Sequence, residues 1–309
     1  MRHVLQTQQF DRKTITKIFE LATSLEGKRD TSLSGKILAS VFYTPSTRTR
    51  LSFESAMHRL GGDVISVENA LESSSQTKGE TLEDTIRTLN YYADAIVLRH
   101  NEVGAAKRAA KHATVPIINA GDGNTGQHPT QALLDLYTIE REVGKIDGVH
   151  VAFVGNLRYY RTARSLSYLL GKYNDVRITF VSAPELTMKQ DVKSYLGRHG
   201  VRYEETEDMQ STIEKADVVY QTRIAKEWIP DEEEYLRLRD RYILTRPMAN
   251  SMKEGGIIIH PLPRVDEIAP EVDDSPHAVY FKQVGYGLIV RMALLSILLD
   301  PSRKVPLSL

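Results

Sequence analysis

Short apolar runs of strand character alternate along this chain with segments whose apolar residues recur at helical spacing. No other feature narrows the fold as much. In the first half, Lys36 to Tyr43, Asp94 to Arg99 and Val115 to Ala120 read as buried strands. After the first of these, Phe53, Ala56, Met57 and Leu60 fall at i, i+3, i+4 and i+7, one face of a helix that Gly61-Gly62 ends. The same alternation continues in the second half. There His150 to Gly155, Val176 to Ser182, Asp217 to Gln221 and Gly256 to Ile259 read as strands, Arg161 to Leu170 and Met188 to His199 as helices. Strands alternating with helices build a mostly parallel sheet covered on both faces. A chain of 309 residues has room for two. The fold class is therefore α/β, with two domains, each a mostly parallel sheet flanked by helices. The join is expected near His128 to Tyr137, where Leu133, Leu136 and Tyr137 share a helical face. Pattern alone leaves the apolar stretch Gly287 to Leu299 unassigned, and Ser73 to Gly79 is the most loop-like segment.

In open α/β sheets ligands sit beyond the carboxyl ends of the strands. The polar residues that follow the strands are Ser46-Thr47-Arg48-Thr49, Arg99-His100, His128 to Gln131, Arg161, Arg223 and His260 to Arg264. Five of these six clusters hold an arginine, although the chain balances 40 basic against 40 acidic residues. The implied ligand is a small anion. Zero net charge gives no bulk field toward nucleic acid or a membrane surface. The chain has no cysteine, which excludes disulfides, thiolate metal sites and a cysteine nucleophile, and fits a cytoplasmic protein. Met1 to Gln6 lacks the apolar core of a signal peptide, and the most apolar stretch, Val290 to Leu299, holds Arg291. Neither membrane, metal nor cofactor is expected.

Ser46-Thr47-Arg48-Thr49-Arg50 follows a strand and opens a helix. The first turn of a helix has free backbone N–H groups and a partial positive charge. Three hydroxyls and a guanidinium added there make a phosphate cradle without a glycine-rich loop. The same residues also serve as ordinary helix caps, and the local sequence leaves both readings open. A dinucleotide site is disfavoured, because no G-x-G-x-x-G occurs.

Phe42-Tyr43-Thr44-Pro45-Ser46-Thr47-Arg48-Thr49-Arg50 with Leu51-Ser52-Phe53-Glu54 resembles the carbamoyl-phosphate signature of the aspartate and ornithine carbamoyltransferase family. His128-Pro129-Thr130-Gln131-Ala132-Leu133-Leu134-Asp135 resembles that family's second shared motif. His260-Pro261-Leu262-Pro263-Arg264 and Lys78-Gly79-Glu80-Thr81 resemble its aspartate branch, since the ornithine branch usually has cysteine in place of the first proline. The similarity runs through almost the whole chain, with the motifs in order. It implies a carbamoyl-phosphate-binding domain over residues 1–129 and an aspartate-binding domain over 130–285, with a C-terminal helix, 286–309, packed back on the first.

By resemblance, Ser46, Thr47, Arg48 and Thr49 hold the phosphate, and Arg99 bridges phosphate and carbonyl oxygen. His128 donates to that carbonyl, Gln131 holds the carbamoyl NH2, and the backbone carbonyls of Leu262 and Pro263, across a cis bond, take the substrate amines. Arg161 and Arg223 match aspartate-binding arginines. Lys78, with Ser74 on the same loop, matches a lysine lent by a neighbouring subunit, which implies a homotrimer with shared active sites. The resemblance leaves room for a regulatory chain. Its reaction takes carbamoyl phosphate and L-aspartate to N-carbamoyl-L-aspartate and phosphate in pyrimidine synthesis, in the cytoplasm. Thr49, Arg99 and His128 would then form an oxyanion site, and no protein nucleophile is needed.

The chain departs from the family pattern mainly on the acceptor side. Thr44 stands where a glutamate is usual, and Trp228 where an arginine usually follows Lys226-Glu227. Those two family residues form one contact that pins the closed arrangement, and losing both leaves no unpaired charge. Ala225 replaces a glutamine, Tyr160 a glycine just before Arg161, and Tyr286 a small polar residue. Two readings therefore stand beside aspartate transfer: a related carbamoyltransferase with another amine acceptor, and a catalytically silent homologue that acts as a binding subunit.

Overall fold

The computed structural model describes residues 2–70 and 79–303. The chain divides into two units, Met1–Leu134 with Gly285–Leu309, and Asp135–Val284.

The first unit runs α1 (Arg12–Leu25), β1 (Ile37–Phe42), α2 (Thr47–Arg59), β2 (Asp63–Glu68), α3 (Leu82–Leu89), β3 (Ala95–His100), α4 (Ala105–His112), β4 (Ile117–Asp122) and the start of α5 (Pro129–Val143). Its four strands are all parallel, in the order β2-β1-β3-β4. Helix starts follow local chemistry: the Asp11 carboxylate accepts from Thr14 N at 2.7 Å to open α1, and Thr81 does the same for α3. Val41, Tyr43, Leu82, Ile86, Ile96, Leu98 and Ile117 pack as one buried cluster.

The second unit runs from the rest of α5 through β5 (His150–Val154), α6 (Arg161–Leu170), β6 (Arg177–Val181), α7 (Gln190–Arg198), β7 (Arg202–Thr206), α8 (Met209–Ile213), β8 (Val218–Gln221), α9 (Glu232–Arg241), α10 (Arg246–Asn250) and β9 (Ile257–Ile259) to the start of α11 (Tyr280–Leu299). Its five parallel strands lie in the order β7-β6-β5-β8-β9. Val154, Val181, Ile213, Val219, Tyr242 and Ile258 belong to its core. The expected fold class is what forms: two parallel sheets, each with helices.

Two strands that the apolar pattern does not mark, β2 and β7, each lie at one edge of a sheet. All their residues are at least partly exposed, so they lack the apolar run of the buried strands. The unassigned C-terminal stretch is the end of α11, which begins at Tyr280. That helix is long and apolar enough to cross a membrane, but 78% of its apolar span is buried within the protein. Arg291, inside it, is buried with its guanidinium 5.2 Å from the Phe53 ring centroid. Arg303, just past it, pairs with Asp30 at 2.7 Å.

A buried polar knot ties the second unit together. Tyr220 donates to Asp135 Oδ2 at 3.0 Å, and Gln283 Nε2 donates to Asp135 Oδ1 at 2.6 Å. All three side chains are buried. Asp135→Ala should therefore leave two buried donors unmatched and lower the stability of this unit by about 2–4 kcal/mol, with Asp135→Asn costing less. Urea unfolding followed by the fluorescence of Trp228, the chain's single tryptophan, reads this unit directly.

Candidate functional site

Strand order dictates where each sheet can hold a ligand. In the first sheet β1 is followed by β2 on one side and flanked by β3 on the other, so the order in which strands are added reverses between β1 and β3. In the second sheet the reversal falls between β5 and β8. Loops leaving the two strands at such a point diverge and open a crevice at their carboxyl ends. The predicted residues that the structure describes follow the strands at the carboxyl ends of these two sheets.

At the first edge, β1 leads through Thr44-Pro45 into α2. Ser46 is the N-cap of α2, yet its hydroxyl makes no capping hydrogen bond. Capping, the alternative left open by the sequence, is thus not how this side chain is used. The N–H groups of Thr47, Arg48 and Thr49 are first-turn donors that a helix cannot satisfy itself. Arg48 is exposed and makes no hydrogen bond or ion pair among the described residues, whereas its neighbour Arg50 is bound to Glu54 at 3.2 Å and Glu68 at 2.9 Å. Two arginines two residues apart therefore have different work, one structural and one unoccupied.

Arg99 enters the same edge from the next strand, since Phe42 and Arg99 pair across β1 and β3. The β3–β4 register shifts between Leu98 and His100, and such an irregularity re-aims the side chain within it. Arg99 Nη1 donates to Ala120 O and Nε to Thr44 Oγ1, both at 3.2 Å. Thr44, where the family's glutamate is missing, so acts as a neutral acceptor that orients Arg99. His128 and Gln131 come from the turn after β4 and the first turn of α5; both are buried. The Thr130 hydroxyl lies 3.4 Å from His128 Nδ1.

At the second edge, Gly155 ends β5 with φ +106°, and a Cβ there would come within 2.5 Å of the Thr222 carbonyl oxygen. Glycine thus lets the loop after β5 lie against the loop after β8, where the Thr222 N–H and hydroxyl donate to Val154 O at 2.9 and 2.8 Å. The first loop carries Arg161, the first residue of α6; the second carries Arg223. Arg223 Nη2 donates to Glu227 Oε1 at 2.6 Å. Burial opposes the Arg223 charge, but Tyr160 and Glu227 outweigh it and raise its pKa. The Tyr160 hydroxyl is pushed up to about 12 by burial, against the pull of Arg223. The ring at position 160 therefore sits against Arg223. Trp228 stacks on Tyr159, ring centroids 5.1 Å apart and 12° from parallel, so the two loops are also joined by an aromatic pair. Leu262 and Pro263 follow β9, at the same edge, and the bond between them is cis.

Ser74 and Lys78 lie outside the described residues. Among the described residues no cluster of His, Asp and Glu could hold a metal. Sequence reasoning missed three contributors: Thr44 as a partner of Arg99, the Tyr159–Trp228 stack, and Glu267, which lies 2.7 Å from His260. Thr44 and Trp228 showed only as departures, and a carboxylate buried in a loop leaves no periodic mark.

Comparison with known proteins gives one consistent result. Residues 2–141 match the family model for the aspartate/ornithine carbamoyltransferase carbamoyl-P binding domain, and residues 147–298 match that for the Asp/Orn binding domain. The chain is 55% identical over 302 residues to chloroplastic aspartate carbamoyltransferase 1 of Pisum sativum, covering 96% of this chain and 78% of that protein. It is 48% identical to the solved catalytic subunit of Methanocaldococcus jannaschii aspartate transcarbamoylase, with a TM-score of 0.90 and coverage of 99% and 100%. Trypanosoma cruzi aspartate transcarbamoylase, solved with N-(phosphonacetyl)-L-aspartic acid, is 38% identical, with a TM-score of 0.89 over 95% of this chain and 94% of that one.

The contrast between Arg48 and Arg50 gives a test. Arg48→Ala should weaken binding of inorganic phosphate about 10- to 100-fold, as expected for one lost charged hydrogen-bond donor, and leave stability within about 0.5 kcal/mol. Arg50→Ala should cost about 1 kcal/mol of stability and leave phosphate affinity within about threefold. Calorimetric titration with phosphate beside urea unfolding separates the two.

Proposed function

The chain belongs to the aspartate/ornithine carbamoyltransferase family, and we propose that it moves the carbamoyl group of carbamoyl phosphate to the amine of L-aspartate, releasing N-carbamoyl-L-aspartate and phosphate. The observation that carries this reading is the uncapped start of α2 at the strand-order reversal, with Arg48 unpaired among the described residues and Arg99 beside it in the ladder. Free N–H groups, hydroxyls and a guanidinium suit a phosphate dianion.

The amine nitrogen attacks the carbamoyl carbon, and the carbonyl oxygen gains negative charge. Thr49, Arg99 and His128 would donate to that oxygen. Gln131 would hold the carbamoyl NH2, and the Leu262 and Pro263 carbonyls would accept from the amines. As the tetrahedral centre collapses, the bond to phosphate breaks and the phosphate leaves carrying the amine proton. Every group invoked binds or stabilises charge, so rate comes from positioning and a preset electrostatic environment. Arg161 and Arg223 would offer two guanidinium groups at the second edge, Arg223 once it gives up Glu227. That suits an acceptor with two carboxylates and works against one with a cationic side chain such as ornithine.

We extend the proposal to a homotrimer that shares its sites, with Ser74 and Lys78 lent by a neighbour. Support comes from the β2 edge, where Ile65 and Val67 are exposed and Leu51 on the adjoining α2 is 48% exposed. An apolar sheet edge left bare is a surface that association would cover.

Labelled carbamoyl phosphate offered with aspartate should give carbamoyl aspartate, and with ornithine almost none; the reverse preference would overturn the acceptor assignment. Arg99→Ala should lower kcat about 100- to 1,000-fold without unfolding the protein. Mixing Lys78→Ala with His128→Ala chains should restore part of the lost activity, and no restoration would speak against shared sites.

A further inference from the structure

The loop after β9 is held by buried polar side chains that the proposed reaction does not use. His260 is 2% and Glu267 3% exposed. His260 Nδ1 accepts the Leu262 N–H at 2.8 Å, so the ring proton resides on Nε2. Nε2 lies 2.7 Å from Glu267 Oε1. The other oxygen, Oε2, accepts the N–H groups of Val265 and Asp266 at 3.0 and 3.2 Å. From below, the His260 N–H donates to the buried Gln283 Oε1 at 3.0 Å. Burial pushes the Glu267 carboxyl up, but His260 and the backbone N–H groups outweigh it and hold it below the usual range.

These contacts surround a strained residue. Leu262 has φ +49°, a region that residues other than glycine, asparagine and aspartate seldom enter. Such a conformation persists only where its surroundings over-determine it. Here the N–H of that residue is taken by His260, and two N–H groups just beyond are taken by Glu267. Apolar side chains of similar volume would fill the same space without a buried charge. The polar pair is explained by what it fixes: the direction of the Leu262 and Pro263 carbonyls.

We propose that His260, oriented by Glu267 and Gln283, is a positioning residue that aims the Leu262 and Pro263 carbonyl oxygens at the reacting amines. The inference rests on the functional reading above. Positive charge grows on the attacking amine as its bond to carbon forms, so acceptors aimed at its N–H groups bind the transition state more strongly than the ground state. Misplacing them lowers kcat more than it raises KM.

The test uses two substitutions that divide the imidazole between them. His260→Asn puts an amide oxygen near the place of Nδ1 and keeps the acceptor for Leu262 N–H, while giving up Glu267. His260→Gln reaches Glu267 from near the place of Nε2 and gives up Leu262 N–H. In the full-length protein, His260→Asn should keep kcat within about fivefold of wild type, and His260→Gln should lose about 10- to 100-fold, with KM for aspartate within about threefold in both. Stability should rank the other way, because His260→Asn strands a buried carboxylate. A purely structural role would make kcat follow stability, and that ranking, or equal rates in both variants, overturns the inference. A wild-type protein that makes no carbamoyl aspartate overturns the functional reading, and this inference with it.

Discussion

A helix start whose cap side chain makes no capping hydrogen bond among the described residues is the constraint around which the first unit is arranged. The first turn of α2 cannot bond its own N–H groups, and Ser46, placed where a cap belongs, does not supply the missing acceptor. Burying such a turn unmatched would be costly, so it stays at the carboxyl edge of the sheet, where water or an anion can complete it. The strand-order reversal beside β1 opens that edge, and the next strand delivers Arg99 to it. Positive potential there comes from backbone geometry and two side chains, without help from net charge, which is zero.

The second unit solves a parallel problem with a different partner in view. Its reversal lies between β5 and β8, and the two loops that leave it carry Arg161 and Arg223. Gly155 allows those loops to touch, Thr222 bonds across, and the Tyr159–Trp228 stack joins them again. Where a family arginine is missing, an aromatic contact stands in its place. Stacking of this kind holds loops without introducing a charge that would compete for an anionic acceptor.

The strands that are buried, β4 and β9 at the sheet edges included, were legible because each reads as an apolar run; β2 and β7 were not, because an exposed edge strand carries the composition of a surface. Short-range chemistry was legible too: the cluster from Ser46 to Thr49 pointed to an anion site, and in the structure the Ser46 side chain makes no capping hydrogen bond. Contacts between residues far apart in sequence stayed hidden. Thr44 meets Arg99 across 55 positions, and the Asp135–Gln283 bond spans 148, so neither leaves a local pattern. The resemblance to a family named the residues. Within each unit, the strand order supplied the reason that its residues lie at the carboxyl edge of its sheet.

A crystal structure of the protein with a bisubstrate phosphonate, a phosphonate joined to an aspartate, tests the central claim most directly. The phosphonate oxygens should lie within hydrogen-bond distance of the N–H groups of Thr47, Arg48 and Thr49 and of the Arg48 guanidinium. A phosphonate bound elsewhere, with the first turn of α2 still open to water, would contradict the account.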